Sequence, residues 1–529
     1  MVVVLVGFMG AGKTTVGHIM AERLGQPFVD SDVLIEQRLG RDIRDIFRTE
    51  GEPYFRQLEH ATVAGLVRGQ DAVIALGGGA VEDPRSRAVL RNARVVYLRV
   101  SYDEAMARVR SDEFRPMLHR PDLGEVYKRR LPVYEDLSVL TVDTDGRRPD
   151  AVALEVLAQL TRLPETPPGS SSVFVTPVGG SYYAHIGPGL TGQLASLLPP
   201  LPEVERALIV EAAQDTATAA TVAEQLSRAG IPAHRVSWPD TQASKTFRSV
   251  EYLADVLADR ALHKDDLVVA VGGEAICDIA GFVASTFNRG MKLGLVPTTL
   301  VAQADSAVGG KNGINLGRGR NLVGTIHQPA VVISDIEVAC ANPGRGFKAG
   351  LAEIAKHALI SPSDLLGHLT GALRPVVSGD PDAVRAVTTR SIEIKADIVS
   401  RDEREQGDRA VLNYGHTFAH AIEQIRGAEA EDQGEAVALG MMAAAHLAYR
   451  QGRISHDVVD QHRRLISGLG LPVEGEFRLA DMEQAWVRDK KYRHGVRFVV
   501  LNGLGRPEGG VTADTATLDG ALRDLVGRR

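Results

Sequence analysis

Cysteine is nearly absent. Cys277 and Cys340 are the only two in 529 residues, which excludes a disulfide framework and leaves the fold to its apolar cores. Positive charge is also short: the net charge is −7, and lysines and arginines are dispersed rather than run together. The basic footprint that nucleic acid demands is missing, and no nucleic-acid partner is expected. No stretch approaches the roughly 18 uninterrupted apolar residues of a membrane helix. The first residues read as a buried strand and loop rather than a charged signal segment, so a reducing cytoplasm is the expected location. There is no internal repeat.

The length is too great for one core and predicts two to four domains. The clear break is Leu163-Pro-Glu-Thr-Pro-Pro-Gly-Ser-Ser-Ser172, where proline stiffens the chain and Gly/Ser loosens it. A domain over 1–163 and a linker over 164–172 are expected. Before the break, apolar strands at Val2–Val6, Ala72–Leu76, Val95–Val100 and Val139–Val142 alternate with helical stretches, the pattern of an α/β domain whose parallel sheet is covered on both faces. After it, strands such as Ala207–Val210 and Leu267–Val271 again alternate with helices, predicting an α/β lobe over 173–338. Mainly amphipathic helix follows, predicting a helical lobe over 339–529.

Directly after the first strand stands Gly7-Phe-Met-Gly10-Ala-Gly12-Lys13-Thr14-Thr15, a G-x-x-x-x-G-K-[ST] loop opening a helix. Its glycines turn backbone N–H groups toward a nucleotide's phosphates, Lys13 supplies a point charge, and the Thr14 hydroxyl suits Mg²⁺. This half therefore spends a nucleoside triphosphate. Phe28-Val-Asp30-Ser-Asp32 reads as the end of an extended segment with two carboxylates on one side. One carboxylate suits a metal-related role, the other a hydroxyl-orienting one. Arg56 follows the turn Gly51-Glu-Pro-Tyr-Phe, and Gly77-Gly78-Gly79 follows a strand. Arg115 sits in a polar stretch able to close as a lid, and Arg130-Leu-Pro-Val-Tyr134 offers a second carboxylate clamp.

These motifs, in this order, resemble shikimate kinase over essentially all of residues 1–163. The resemblance implies a P-loop kinase fold and ATP-dependent phosphorylation of shikimate to shikimate 3-phosphate. Asp30 then belongs to the Mg²⁺ shell with Thr14, while Asp32 holds the shikimate hydroxyls and helps deprotonate the attacking one. Arg56 and Arg130 bind the carboxylate, and Gly77, Gly78 and Gly79 let the backbone approach the ring. Arg115 neutralises transferring charge, and Arg108 stacks on adenine. A gluconate-type kinase shares the loop and is the alternative for this half.

The second half carries Val271-Gly272-Gly273-Glu274, then Asp278, Pro297-Thr298-Thr299, Asp305-Ser-Ala-Val-Gly-Gly-Lys311, Arg320-Asn321, Glu353-Ile-Ala-Lys356, Lys395, Arg409-Ala-Val-Leu-Asn413-Tyr-Gly-His416-Thr-Phe-Ala-His420 and Arg488-Asp-Lys490. On helices, His416 and His420 share a face, as do Glu353 and Lys356. One histidine with one carboxylate makes a partial zinc set. The lysines and arginine, if gathered, call for an anion such as a phosphorylated acid.

This order resembles 3-dehydroquinate synthase over about 173–505, implying a Rossmann-like α/β lobe followed by a helical metal and substrate lobe. The implied reaction converts a seven-carbon keto-acid phosphate, DAHP, into 3-dehydroquinate. Transient oxidation by NAD⁺ permits elimination of phosphate, the hydride is returned, and the ring opens and recloses. Glu353 and His416 match ligands for Zn²⁺ or Co²⁺. Asp305, Lys311, Arg320, Asn321, Lys356, Lys395, Arg409, Asn413, His420 and Lys490 match substrate and proton-handling positions. Lys245, Gly272, Gly273, Asp278, Thr298 and Thr299 match the dinucleotide site. The family also implies a homodimer through this half.

The sequence departs from the family at four places, one of them Arg320, which stands where the family has a lysine before Asn321 and keeps the charge but not the geometry. Gln433 stands where a histidine is the third metal ligand, with Glu431 and Asp432 as nearby carboxylates. Glu274 replaces the third glycine of the dinucleotide turn, and Gln242 replaces a glutamate. Weaker zinc and dinucleotide binding is expected. A cyclase acting on another sugar phosphate and a non-catalytic scaffold therefore stand as alternatives for this half.

Overall fold

The computed structural model describes residues 2–91, 93–109, 122–160, 166–317, 319–341, 345–427, 433–488 and 495–526. The chain packs into two compact units, Met1–Pro164 and Glu165–Arg529.

The first unit is built on five strands: β1 (Val3–Val6), β2 (Phe28–Asp30), β3 (Val73–Ala75), β4 (Arg94–Arg99) and β5 (Leu140–Asp143). They lie in the order β2-β3-β1-β4-β5, and every pairing is parallel. The strand β1 is Val-Val-Leu-Val and is buried along its whole length, as a central strand covered on both faces must be. The helix Lys13–Leu24 starts from Gly12 at φ 85° and stops at Gly25 at φ 63°. Both positions lie in the left-handed region that glycine enters without penalty.

The Asp-Ser-Asp segment differs from the expected extended run. Strand β2 ends at Asp30, and a helix, Ser31–Leu39, begins at the next residue. Asp30 is its N-cap, accepting from the backbone N–H of Asp32 at 3.1 Å and of Val33 at 3.4 Å. A short polar side chain that satisfies orphan helix donors beats two further residues of strand, so Asp32 sits in the first helical turn.

The second unit has a seven-stranded sheet made of β6 (Ser171–Val175), β7 (Tyr182–Gly187), β8 (Ala207–Ala212), β9 (Ala233–Trp238), β10 (Leu267–Gly272), β11 (Lys292–Pro297) and a strand at Val331–Asp335. Between the last two, β12 (Lys311–Leu316) and β13 (Gly319–Ile326) form an antiparallel hairpin, so the strand at Val331–Asp335 is β14. The sheet order is β6-β7-β14-β11-β10-β8-β9, parallel except for β6 against β7. The helix Glu274–Thr286 leaves the carboxyl end of β10 and is buried from Ala275 to Ala284. The hairpin lies over it so closely that a Cβ on Gly281 would stand 1.7 Å from Asn312 Oδ1.

Helices dominate after β14, as expected of a mainly helical lobe, and β15 (Phe498–Leu501) pairs antiparallel with β16 (Pro507–Val511) among them. The helix Gln433–Arg450 runs through the middle of this lobe. A Cβ on its Gly440 would lie 2.2 Å from the carbonyl oxygen of Gly415, and one on Gly434 would lie 2.5 Å from Ala349 Cα. Those two contacts seat it against the start of the helix His416–Arg426 and against the helix Arg345–Ile360.

Candidate active sites

At the carboxyl end of β1, Lys13 folds over its loop and donates to the carbonyls of Gly7 at 2.9 Å and Phe8 at 3.2 Å. Thr14 Oγ1 lies 3.2 Å from Asp30 Oδ2, so hydroxyl and carboxylate meet beside the phosphate loop. Asp32 is set deeper, and one of its oxygens is buried with no hydrogen-bond partner. Burial, reinforced by the neighbouring Asp30 charge, pushes its carboxyl up to about 6. Arg108 is pinned to the carbonyls of Gly10 at 3.1 Å and Thr144 at 2.6 Å, and to Glu104 at 3.0 Å.

Each glycine of the triple faces a different functional side chain. A Cβ on Gly77 would stand 2.4 Å from Asp32 Oδ1, one on Gly78 3.5 Å from Arg130 Nη1, and one on Gly79 2.6 Å from Arg56 Nη1. The triple is therefore the floor on which Asp32, Arg130 and Arg56 converge, and a side chain at the first or third position would have to push Asp32 or Arg56 aside. Tyr134 donates to the carbonyl of Gly78 at 2.7 Å, tying the floor to the helix that carries Arg130.

Three acidic residues that were given no role in the sequence complete this group, Glu52 among them although it stands inside the Gly51–Arg56 motif. Arg56 pairs with Glu59 at 2.6 Å and Glu52 at 2.9 Å, while Glu82 bonds Arg130 at 2.8 Å. Glu59, at i+3 from Arg56 on one helix, was within reach of a same-face argument. Burial pushes its carboxyl up to about 7, offset only in part by Arg56. Arg115 lies outside the described residues.

In the second unit, the carboxyl ends of β10 and β11 gather the expected dinucleotide residues. Lys245, wholly buried, is ion-paired with Asp278 and donates to Asn321 Oδ1 at 2.7 Å. Burial raises the Asp278 carboxyl to about 6 against the pull of Lys245. Gly273 N–H donates to Asp240 Oδ2 at 2.7 Å, and Thr298 donates to Asp215 at 2.6 Å. A Cβ on Gly273 would stand 2.6 Å from Asp240 Oδ2 and 3.1 Å from Thr299 Cγ2, so this turn is a cradle that a side chain would fill. The two departures meet here: Gln242 Nε2 donates to Glu274 Oε1 at 3.1 Å. Arg320 reaches Glu423 at 3.1 Å.

A continuous charged network crosses the helical lobe. Lys395 bonds Asp305 Oδ1 at 2.7 Å, Lys356 lies 3.8 Å from the same oxygen, Lys356 pairs with Glu353 at 2.5 Å, and Glu353 Oε1 is 3.4 Å from His416 Nε2. Both lysines are buried. Burial lowers Lys395 to about 8, with Asp305 resisting and Arg409 assisting. Burial would raise Glu353, but Lys356 and His416 prevail and hold it near 2. Arg409, fully buried, donates to the carbonyls of Glu403 at 2.5 Å and Gly309 at 3.1 Å. Beside this network a cavity of about 230 Å³ is lined by Glu405, Asn413, His416, His420 and Arg497, among others. Glu405 pairs with Lys311 and accepts from Asn413 at 2.5 Å. Neither Glu405 nor Arg497 was expected.

Glu353 and His416 provide two of the donors that zinc requires. Among the described residues no third histidine, cysteine or carboxylate joins them. Gln433 opens its helix, and Glu431, Asp432 and Lys490 lie outside the described residues.

Comparison with known proteins matches three family models: shikimate kinase over 9–161, 3-dehydroquinate synthase N-terminal over 235–349 and 3-dehydroquinate synthase C-terminal over 350–492. A 3-dehydroquinate synthase of Nitrosomonas europaea is 39% identical over 353 residues, covering 65% of this chain and 93% of that one. The chain belongs to the 3-dehydroquinate synthase family. Its N-terminal unit is a shikimate kinase domain. The synthase of Geobacter metallireducens is 42% identical over 286 residues, 54% of this chain and 79% of its own. Relatives named as synthases count against the cyclase and scaffold alternatives for the second unit.

Among solved structures, a 2-deoxy-scyllo-inosose synthase complexed with carbaglucose-6-phosphate, NAD⁺ and Co²⁺ aligns with TM-score 0.62 at 24% identity, over 67% of this chain and all of that one. A 2-epi-5-epi-valiolone synthase from Streptomyces hygroscopicus with NAD⁺ and Zn²⁺ bound aligns at 0.59 and 24%, over 65% and 97%. These two likenesses bear on the fold of the synthase unit. No helix of the described residues is long and apolar enough to cross a membrane.

Proposed function

We propose that the kinase unit transfers the γ-phosphoryl group of ATP to a shikimate hydroxyl, and that the synthase unit converts DAHP into 3-dehydroquinate with loss of phosphate. The observation that carries the kinase assignment is the convergence of Asp32, Arg56 and Arg130 on the glycine floor beside Lys13. Arg56 and Arg130 hold the acceptor's carboxylate, and Asp32 orients the attacking hydroxyl and takes its proton. Lys13 and the loop amides, with the lid residue Arg115, stabilise the transferring charge. Thr14 and Asp30 would hold Mg²⁺, which supplies charge neutralisation at the phosphates. Arg108 would stack on the adenine.

For the synthase unit, the cradle at Gly272 and Gly273 with Lys245, Asp278, Thr298 and Thr299 fits a dinucleotide, NAD⁺, which supplies reversible oxidation of an alcohol. Glu353 and His416 fit two positions of a Zn²⁺ or Co²⁺ site, a metal that would polarise the hydroxyl being oxidised. Lys356, Lys395 and Arg409, with Asp305, Lys311, Arg320, Asn321 and Lys490, form the field that holds the phosphorylated acid. Asn413 and His420 face the cavity, where they orient and move protons on the substrate. On the family resemblance the protein is read as a cytoplasmic homodimer joined through this unit.

One purified full-length preparation tests both halves. ADP formation dependent on shikimate and absent with gluconate supports the kinase reading; the reverse pattern overturns it. Phosphate release from DAHP with NAD⁺ and added Zn²⁺, accompanied by dehydroquinate, supports the synthase reading. No release beside a working kinase overturns it.

A further inference from the structure

The clamp assigned to the acceptor's carboxylate already holds one. Glu82 ends the single 3-10 turn Ala80–Glu82 that follows Gly79. Its Oε2 lies 2.8 Å from Arg130 Nη2 and 3.9 Å from Arg56 Nη2. The other oxygen, Oε1, lies 2.8 Å from Nη2 and 3.3 Å from Nε of Arg129. Arg130 keeps 7% of its side chain exposed and Arg129 keeps 61%, so one carboxylate bridges an inner guanidinium and an outer one.

Glu82 holds Arg130 through Nη2 alone, but an incoming carboxylate seated on the same guanidinium meets like-charge repulsion from it. Glu52 and Glu59 already pair with Arg56, so each of the two clamp guanidiniums already faces a carboxylate. Arg129 gives Glu82 a place to go, because its Oε1 is already bound there and only Oε2 must leave.

We propose that Glu82 is a resident carboxylate competing with the acceptor's carboxylate for Arg130, with Arg129 as its outer hold. This rests on the reading that Arg56 and Arg130 bind that carboxylate. Entry of a neutral polyol leaves Glu82 in place, whereas an acid of the right shape displaces it toward Arg129. Glu82 thus lowers the affinity for the acceptor's carboxylate, which must displace it from Arg130.

The test is steady-state kinetics with shikimate at saturating ATP, and calorimetric titration of shikimate without ATP, on the full-length chain. In Glu82→Gln, KM and Kd fall roughly fivefold, the scale of one partly exposed ion pair, with kcat within about twofold. In Arg129→Ala, Glu82 loses its outer hold and is left on the inner guanidiniums, and KM rises by a similar factor. A chain that phosphorylates shikimate but whose KM is unchanged or raised in Glu82→Gln overturns the proposal alone, since Glu82 would then be a brace for Arg130. A wild-type chain that neither binds nor phosphorylates shikimate, with Glu82→Gln no different, overturns the acceptor reading and this proposal with it.

Discussion

Replacing Gly79 with alanine separates side-chain contact from backbone strain. Gly79 has φ −96° and ψ −10°, a conformation any residue adopts, so alanine costs the backbone nothing there. Its methyl, however, would stand 2.6 Å and 2.7 Å from the two terminal nitrogens of Arg56, where ordinary contact begins at 3.4 Å. The guanidinium must retreat by about 0.8 Å, and it is not free to do so cheaply, because Glu59 holds Nη1 at 2.6 Å and Glu52 holds Nη2 at 2.9 Å. A displacement of about 1 Å in a positioning group costs on the order of 10²-fold, so kcat/KM for shikimate is expected to fall between about 10- and 100-fold. The matching control is Gly65→Ala on the helix that carries Arg56, where an added Cβ meets nothing within 4 Å. Calorimetric titration with ATP reports the integrity of the kinase unit in both variants. A Gly79→Ala enzyme with kcat/KM for shikimate within twofold of wild type refutes the reasoning that Arg56 is fixed against this floor.

Further outcomes follow from the synthase unit. Gly440→Ala places a methyl 2.2 Å from the Gly415 carbonyl, and the two crossing helices must part; a loss of about 1–3 kcal/mol in urea unfolding is expected, together with synthase activity, while kinase activity persists. Asp305→Asn removes the carboxylate between two buried lysines, and calorimetric melting should report a destabilisation of about 3 kcal/mol or more. Lys395, held near 8 by burial, binds its proton less tightly folded than unfolded. Its contribution is unfavourable below that pH and is relieved as pH rises from 8 toward its ordinary range, while kcat/KM for DAHP should decline above pH 8 as the charge is lost; Lys395→Arg moves that limb upward. Gln433→His adds a donor at the first residue of a helix packed on Ala349, one turn before Glu353, and bound zinc after dialysis is expected to rise. Unchanged zinc content would place the third donor elsewhere.

What lay within one or two turns of chain was legible in the sequence. The strand, loop and helix around Lys13 follow from an apolar run, glycines at left-handed positions and the chemistry of a phosphate cradle. Glu353 with Lys356 was placed by helical spacing, because neighbours three apart meet on any helix. The Asp30–Asp32 segment shows the limit of such arguments: strand alternation and N-capping were both open to it, and the cap won because it satisfies donors that a longer strand would have left bare. The packing of the chain alone decided that Asp305 meets Lys395, that Glu353 meets His416, and that Glu405 and Arg497 line the cavity with His420. These partners lie from 15 to more than 90 positions apart, and no propensity or period relates residues at such distances. The same holds for Glu82, an unremarkable acidic residue in sequence. The glycine floor and the crossing of the helix Leu123–Leu137 beside it bring its carboxylate onto Arg130, and so only the tertiary structure gives it a part in the site.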